Sequence, residues 1–269
     1  MSLKLTLHTQ PAVPLEAEAI SPDKVMSLRA AGIEKLTLFH GNEQAMLGDF
    51  FKVEGDGAPV IQLEGDLHQV KHIGAGMTVG EVHITGNIGA HLGAAMSGGE
   101  IIVDGDAGDW VGAEMRGGRI TIKGNAGHLV GCAYRGSAIG MLGGEILVHG
   151  NVRNETGNGM RNGLIAVGGS SGDFTGVNML AGTIVVLGEM GTRNGAGMKR
   201  GTILSMQPVE ILPTFTYSCS YHPTFLRFYL QHIKDAGLPV TTAQIIGQYD
   251  RWCGDAVELN RGEILLFKA

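Results

Sequence analysis

The chain has 269 residues, 43% of them hydrophobic, enough for one large domain or two ordinary ones with a sizeable core. A net charge of −6 argues against general nucleic-acid binding. Glycine stands at 44 residues, more than twice its usual share of ~7%, yet there is no three-residue period and only 8 prolines, so collagen-like and disordered readings both fail.

The first segment, 1–64, opens with an alternating strand at 3–8 that lacks the apolar block of a signal peptide. A helix is expected from Ser21-Pro22-Asp23 to about Ala31, ended by Gly32, with strands near 35–40, 50–54 and 60–64. No apolar run anywhere approaches the ~20 residues of a membrane-spanning helix. Cys132, Cys219 and Cys253 are far apart in sequence, without the clustering that iron–sulfur or structural zinc sites need. Reduced thiols in a cytoplasmic protein are expected.

From 65 to 206 the sequence repeats. Glycine recurs at 86, 105, 124, 150, 169 and 188, and the one long step is a 19-residue repeat carrying seven extra residues, best placed at 134–140. A second glycine series runs 74, 93, 112, 131, 157, 176, 195 and a third 80, 99, 118, 144, 163, 182, 201. Methionine holds positions 77, 96, 115, 141, 160, 179 and 198. An aliphatic series holds 82, 101, 120, 146, 165, 184 and 203, with another two places later. Each repeat thus supplies one short strand that cannot bury its apolar face alone, and stacking repeats would pair backbones and build ladders of like side chains. The glycines are expected where the chain turns with φ > 0 or where backbones approach closely. A 19-residue unit is too short for a helical-hairpin repeat and lacks leucine-rich signatures, so a parallel β-helix of about seven coils is the predicted fold.

The last segment, 207–269, reads as an amphipathic helix from Pro223 to Ala236 with Phe225, Leu226, Tyr229, Leu230 and Ile233 on one stripe. Gly237-Leu238-Pro239 stops it. A short helix after Thr241-Thr242 and a strand at 263–267 follow. Both flanking segments are expected to cap the open ends of the stack.

Chemistry is sparse. There is no Gly-x-Ser-x-Gly, His-Glu-x-x-His or Walker loop, and the repeat itself accounts for the Gly-x-x-Gly spacings. His72 and His91 occupy equivalent places in adjacent repeats and are expected to stack; with no third ligand nearby, a hydrogen-bonded ladder is the better reading than a metal site. Asp106, Asp109 and Glu114 share one repeat, where Asp after a turn glycine is ordinary. Two features exceed what a scaffold needs. The insertion should project, with Tyr134, Arg135 and Ser137 as candidate partner contacts, against the plainer alternative of a neutral loop. In the later repeats, Ile73, Leu92, Val111 and Val130 give way to Thr156, Thr175 and Asn194, amid Arg153, Arg161, Arg193, Lys199 and Arg200. These read as a basic, amide-rich surface for an anionic ligand, or as a solvated face.

The Gly-[Asn/Asp]-x-Gly-x-x-x-Gly-x-x-Met-x-Gly-Gly-x-Ile-x-Val coils resemble the glycine-rich β-helix shared by the C-terminal domain of glutamate synthase and the C subunit of formylmethanofuran dehydrogenase. Gly124–Gly131, Tyr134–Ser137, Gly140-Met141, Leu212–Phe215, Tyr249–Arg251, Gly254-Asp255 and Gly262–Leu265 resemble that dehydrogenase component in particular. The likeness covers about 50–269, and it implies a right-handed coil. Tyr221–Leu226 and Gly237–Val240 look more like the bacterial relative, the formyltransferase/hydrolase complex. That likeness implies a cytoplasmic assembly in formaldehyde oxidation that moves formyl from formyl-tetrahydromethanopterin to a methanofuran-type carrier and hydrolyses it to formate. It implies formyltransferase, amidohydrolase-like and formylmethanofuran-dehydrogenase-B-like partners, a dimer of heterotetramers, and metals held by other subunits. This chain would be a scaffold with no catalytic residue, metal or cofactor of its own. Its basic later coils would guide the glutamate-rich tail of the carrier. The alternatives are the same component in a molybdenum or tungsten dehydrogenase and, more remotely, a stand-alone β-helix enzyme acting on polysaccharide.

Overall fold

The 19-residue period of the sequence becomes a stacking register in three dimensions. The computed structural model of the chain describes residues 2–268. The N-terminal part contains β1 (Leu3–Leu7), β2 (Leu15–Glu16), α1 (Pro22–Val25), α2 (Ala30–Ile33), β3 (Thr37–His40), β4 (Glu43–Met46), α3 (Leu47–Phe50), β5 (Phe51–Glu54) and β6 (Val60–Glu64). After β7 (Val70–Lys71), each repeat gives one strand: β8 (Glu81–Thr85), β9 (Glu100–Val103), β10 (Arg119–Ile122), β11 (Glu145–Val148), β12 (Leu164–Val167), β13 (Thr183–Val186) and β14 (Arg200–Ser205). The C-terminal part contains β15 (Thr216–Tyr221), α4 (Leu226–Asp235), α5 (Thr242–Ile246), β16 (Gln248–Gly254) and β17 (Arg261–Lys268). No helix among the described residues is long and apolar enough to cross a membrane.

The repeat strands pair in parallel with like residues opposite: Ile101 with Ile120, Ile120 with Ile146, Ile146 with Ile165, Ile165 with Ile184, Ile184 with Ile203. The non-strand parts stack as well, through bridges Leu67–Ile88–Ala107–Ala126 and through bonds such as Gly112 N to Leu92 O at 2.8 Å. The result is one open, mostly parallel sheet of 13 strands, in the order β15-β16-β17-β14-β13-β12-β11-β10-β9-β8-β6-β1-β5. A second sheet runs β4-β3-β2-β7.

Inward-facing Ile and Val of the strands, and all seven methionines of the repeat, are fully or almost fully buried. Burying each such side chain contributes about 1.5–3 kcal/mol. The glycine series serve different needs. Gly112 sits at φ +61, and a Cβ there would lie 2.5 Å from Ile146 Cδ1, an interior side chain of the next repeat. Gly105 has no left-handed backbone; a Cβ there would lie 2.6 Å from the carbonyl oxygen of Gly86 in the repeat below. One is a turn glycine and the other a close-approach glycine.

The change to Thr156, Thr175 and Asn194 does not build a surface, contrary to expectation. All three are buried, in the same interior column as Leu92 and Val111. Their polar groups turn back on their own coil: Thr156 Oγ1 to Arg153 O (3.3 Å), Thr175 Oγ1 to Ser171 Oγ (2.9 Å), Asn194 Nδ2 to Gly191 O (2.6 Å). A short polar side chain there satisfies itself locally, so the column tolerates it. Asn194 Oδ1 alone stays without a partner.

The ends differ more from what the sequence predicts. The single helix expected from Ser21 is two short ones. Arg29 is extended, the Asp56 carboxylate accepts from Arg29 and from Ala30 N, and Leu28 O accepts from Gly57 N. Gly32 lies within α2 rather than after a helix. On α4, Leu226, Leu230 and Ile233 are buried, but Phe225 and Tyr229 are exposed. β17 pairs parallel with β14 as a further rung, Ile264 opposite Ile203, although the two lie 61 positions apart. β16 and β15 then close that end antiparallel. The helices lie on the flank instead. Leu226, Leu230, Ile233, Leu238 and Val240 pack on the outward residues Leu147, Leu164, Ala166, Val185 and Leu204 as a second core.

Candidate functional site

One column of the coil is unusual. His72, His91, Trp110, Leu129, Glu155, Phe174 and Arg193 all adopt φ between 59 and 64°. Bulky residues rarely take this left-handed conformation, which costs roughly 1–2 kcal/mol each. The repeat imposes the backbone, and the side chains form an external ladder. His72 and His91 stack with centroids 4.5 Å apart and planes 3° apart, as their equivalent positions suggested. Trp110 follows His91 at 6.0 Å, and the Arg193 guanidinium lies 5.3 Å from the centre of the Phe174 ring.

The insertion attaches to this ladder. Met141 N bonds to Gly131 O at 2.9 Å, as Met115 N bonds to Gly112 O in an uninterrupted coil, so residues 134–140 lie outside the closed turn. Tyr134 folds back over two coils. Its ring stacks on Trp110 at 5.0 Å and its hydroxyl meets His91 Nδ1 at 2.9 Å. Burial, with the neighbouring His72 and Lys71, lowers the His91 pKa to about 4. Burial, with Glu114 and Glu18, raises that of Tyr134 to about 12. Near neutral pH the imidazole is therefore uncharged and shares one neutral hydrogen bond with the phenol. A base this weak and a phenol this weakly acidic suit a fastening rather than proton-transfer chemistry. Glu114 Oε1 accepts from Tyr134 N at 3.1 Å.

Beneath the insertion is a cleft of about 260 Å³, lined by Ala133, Ser137, Ala138, Asn158, Asn178, Leu180, Gly197, Lys199 and Glu258. Lys199 Nζ is 3.7 Å from Glu258 Oε2, and Asn158 donates to Glu155 Oε2 at 2.8 Å. Two residues singled out in the sequence, Ser137 and Lys199, thus meet in one place. Glu258 gives no sequence signal for its role; it arrives only through the long excursion between β14 and β17. Among the described residues, no group of three or more His, Cys, Asp or Glu is placed to hold a metal ion.

Residues 62–213 match the family model described as the GXGXG motif, over half of the chain. A chain in the crystal structure of the formyltransferase/hydrolase complex from Methylorubrum extorquens, in complex with methylofuran, superposes with a TM-score of 0.92 and 30% identity. That match covers 99% of this chain and 100% of the other. The chain belongs to the GXGXG family. The C subunit of tungsten-containing formylmethanofuran dehydrogenase 2 from Methanothermobacter wolfeii is 43% identical over 89 residues, 31% of this chain and 33% of that protein. The C subunit of molybdenum-containing formylmethanofuran dehydrogenase 1 from Methanothermobacter thermautotrophicus is 45% identical over 79 residues, 29% of this chain and 20% of that one. The chain therefore matches a third or less of the length of these curated relatives.

In this GXGXG homologue the remaining candidate residues are spread out. Arg135 and Ser137 are exposed at the tip of the insertion, whereas Tyr134 is half-buried. Arg161 and Lys199 share one repeat position, with Leu180 between them, and their backbone amides make the same bond to the methionine carbonyl of the preceding coil. Arg153, Arg193 and Arg200 each occupy a different repeat position. Arg193 is engaged with Phe174, and Arg200 stands opposite Arg261. All four arginines are exposed. Sequence reasoning missed the junction at β11, where Glu145 accepts from Arg119 Nε at 2.8 Å and from His232 Nε2 of α4 at 2.6 Å.

Proposed function

We propose that this chain is a non-catalytic scaffold subunit of a multi-subunit, formylmethanofuran-related complex. In its sharper form, the complex transfers formyl from formyl-tetrahydromethanopterin to a methanofuran-type carrier and hydrolyses it to formate. One observation carries this reading: the likeness to the chain of the formyltransferase/hydrolase complex covers 99% of this chain and 100% of the other, with a TM-score of 0.92. The stacked coils are then a right-handed parallel β-helix over 65–206, flanked by segments 1–64 and 207–269. Formyltransferase, amidohydrolase-like and formylmethanofuran-dehydrogenase-B-like subunits are the partners, assembled as a dimer of heterotetramers in the cytoplasm. Arg153, Arg161, Arg193, Lys199 and Arg200 are candidate contacts for an anionic carrier tail, and Tyr134, Arg135 and Ser137 for a partner. The neutral His91–Tyr134 pair supports a structural role, because it fixes the insertion without offering a base or nucleophile.

The second reading, the corresponding component of a molybdenum or tungsten dehydrogenase, draws on the partial likeness to those enzymes. Affinity purification of the tagged chain from its native cells separates the two. Three co-purifying subunits with formyl transfer and hydrolysis activity, and without molybdenum or tungsten, support the transferase/hydrolase complex. Molybdenum or tungsten at stoichiometric level moves the chain to the dehydrogenase. A chain that purifies alone refutes both.

A further inference from the structure

One outward column of the coil alternates in character. The residue after the interior methionine reads Arg116, Leu142, Arg161, Leu180 and Lys199 in five successive coils. Their backbone amides all bond to the methionine carbonyl of the coil before, at 2.7–2.8 Å, from Arg116 N on Met96 O to Lys199 N on Met179 O. The five therefore stack in register about 4.8 Å apart, which sets the cations at roughly 9.6 Å intervals with a leucine between them. Arg116 and Arg161 are exposed; Leu142, Leu180 and Lys199 are partly so. Among the described residues, the ion-paired arginines are Arg29, Arg119 and Arg251, so Arg116 and Arg161 have no carboxylate partner. Lys199 alone has an acid beside it, Glu258 at 3.7 Å, too long for a hydrogen bond. On one side the next position along the coil is small or amide (Gly117, Gly143, Asn162, Ala181), so the row stands as a ridge. On the other side lies the cleft beneath the insertion, which shares Leu180 and Lys199 with the row.

Spacing and charge select the occupant. A polyproline-II chain turns once in three residues, about 9.3 Å, so every third side chain falls on one face at the pitch of the cations. Residues on one face of a β-strand recur at about 6.7 Å and are out of step. We propose that the row from Arg116 to Lys199 seats an extended acidic segment of a partner protein in the polyproline-II conformation. Every third residue of that segment carries a carboxylate, and apolar residues between rest on Leu142 and Leu180. The planar guanidinium groups of Arg116 and Arg161 take carboxylates through paired N–H donors and fix the register, and Lys199 closes the row as a point charge. A uniformly anionic polymer fits less well, because it lays charge over the two leucines with no countercharge. The seat belongs to the chain itself and does not depend on which complex it joins.

The test is fluorescence anisotropy on the full-length chain with labelled peptides. One is Glu-Pro-Leu repeated three times; a second has the same composition with its Glu residues adjacent; a third is poly-L-glutamate of equal length. The repeat should bind at least about fivefold more tightly than either of the others, and more weakly as salt rises. Arg116→Glu with Arg161→Glu should weaken it at least about tenfold, whereas Arg153→Glu with Arg193→Glu, outside the row, should change it by less than about twofold. Leu142→Ser with Leu180→Ser should remove the advantage over poly-L-glutamate. Circular dichroism and melting temperature of the variants should match the wild type, since all these side chains point outward. A repeat peptide that does not bind, or that binds the Arg116/Arg161 variant undiminished, overturns the seat and leaves the subunit reading intact. Equal binding of the repeat and the adjacent-Glu peptide overturns the spacing. Tighter binding of poly-L-glutamate overturns the choice of a peptide in favour of a polymeric anion. Self-association of the free chain that Arg116→Glu with Arg161→Glu abolishes makes a second copy the occupant and overturns the choice of partner.

Discussion

The early coils, with β8–β10, and the late coils, with β11–β14, share one inner wall and differ on the outer one. In β9 and β10 burial alternates, inward residues hidden and outward ones partly wet. In β12 and β13 all four residues are buried. The outward positions read His83, Ile102, Thr121 early and Leu147, Ala166, Val185, Leu204 late. The early face is left to solvent and surface ion pairs such as Lys123–Asp104. The late face is covered by α4 and its connections. A repeat can therefore keep its interior unchanged while its outer face is rewritten, coil by coil, to receive another element.

The largest expected effect separates the two regions at adjacent strands. Thr121 and Leu147 are register partners on the outer face. Leu147→Ala should cost about 2–5 kcal/mol, since it opens a hole under α4. Thr121→Ala should fall within about 0.5 kcal/mol. Equal costs in urea unfolding would mean that α4 does not stay on the flank in solution. Turn glycines should show no such asymmetry. Gly112→Ala (early) and Gly176→Ala (late) each force a left-handed residue toward an interior isoleucine Cδ1, at 2.5 Å in both cases. Each should lose about 1–3 kcal/mol, and a large difference between them would show that the inner wall is not uniform.

At the boundary, Glu145→Gln weakens the links to Arg119 and His232 together. A loss of about 1 kcal/mol is expected, with hydrogen exchange faster in α4 than in β8–β10. The smallest effect is a pH dependence confined to the early coils. His91 is held at about 4, below its ordinary 6.5, chiefly by burial. The unfolded chain thus binds the extra proton first, so the contribution is intact above about 6.5 and lost as pH falls toward 4. Fluorescence of Trp110, whose ring stacks against both His91 and Tyr134, should report loosening in that window. In His91→Gln the change should vanish, and its persistence would place the titration elsewhere.

Much of this was legible beforehand because a period is local information. Columns of Gly, Met and Ile at 19-residue spacing state which side chains stack. The seven extra residues, between Gly131 and Met141, state where a loop must leave the coil. The ladder of His72 and His91 follows from the same arithmetic. The polar column misled because Thr and Asn read as surface residues, whereas Thr156, Thr175 and Asn194 bond to their own turn and stay inside. The continuous apolar runs of β12 and β13 went unread in the sequence, although four consecutive apolar or small residues fit a strand covered on both faces.

The sequence by itself determined the repeat, its strands, the apolar columns of its interior and the position of the insertion, since each depends on spacing along the chain. Only the tertiary structure decided that β17 adds a rung to β14, that α4 lies on the flank, that Tyr134 turns back onto His91, and that Glu258 reaches Lys199. Those choices are made by apolar faces finding each other across tens of residues, where no local preference distinguishes one surface from another.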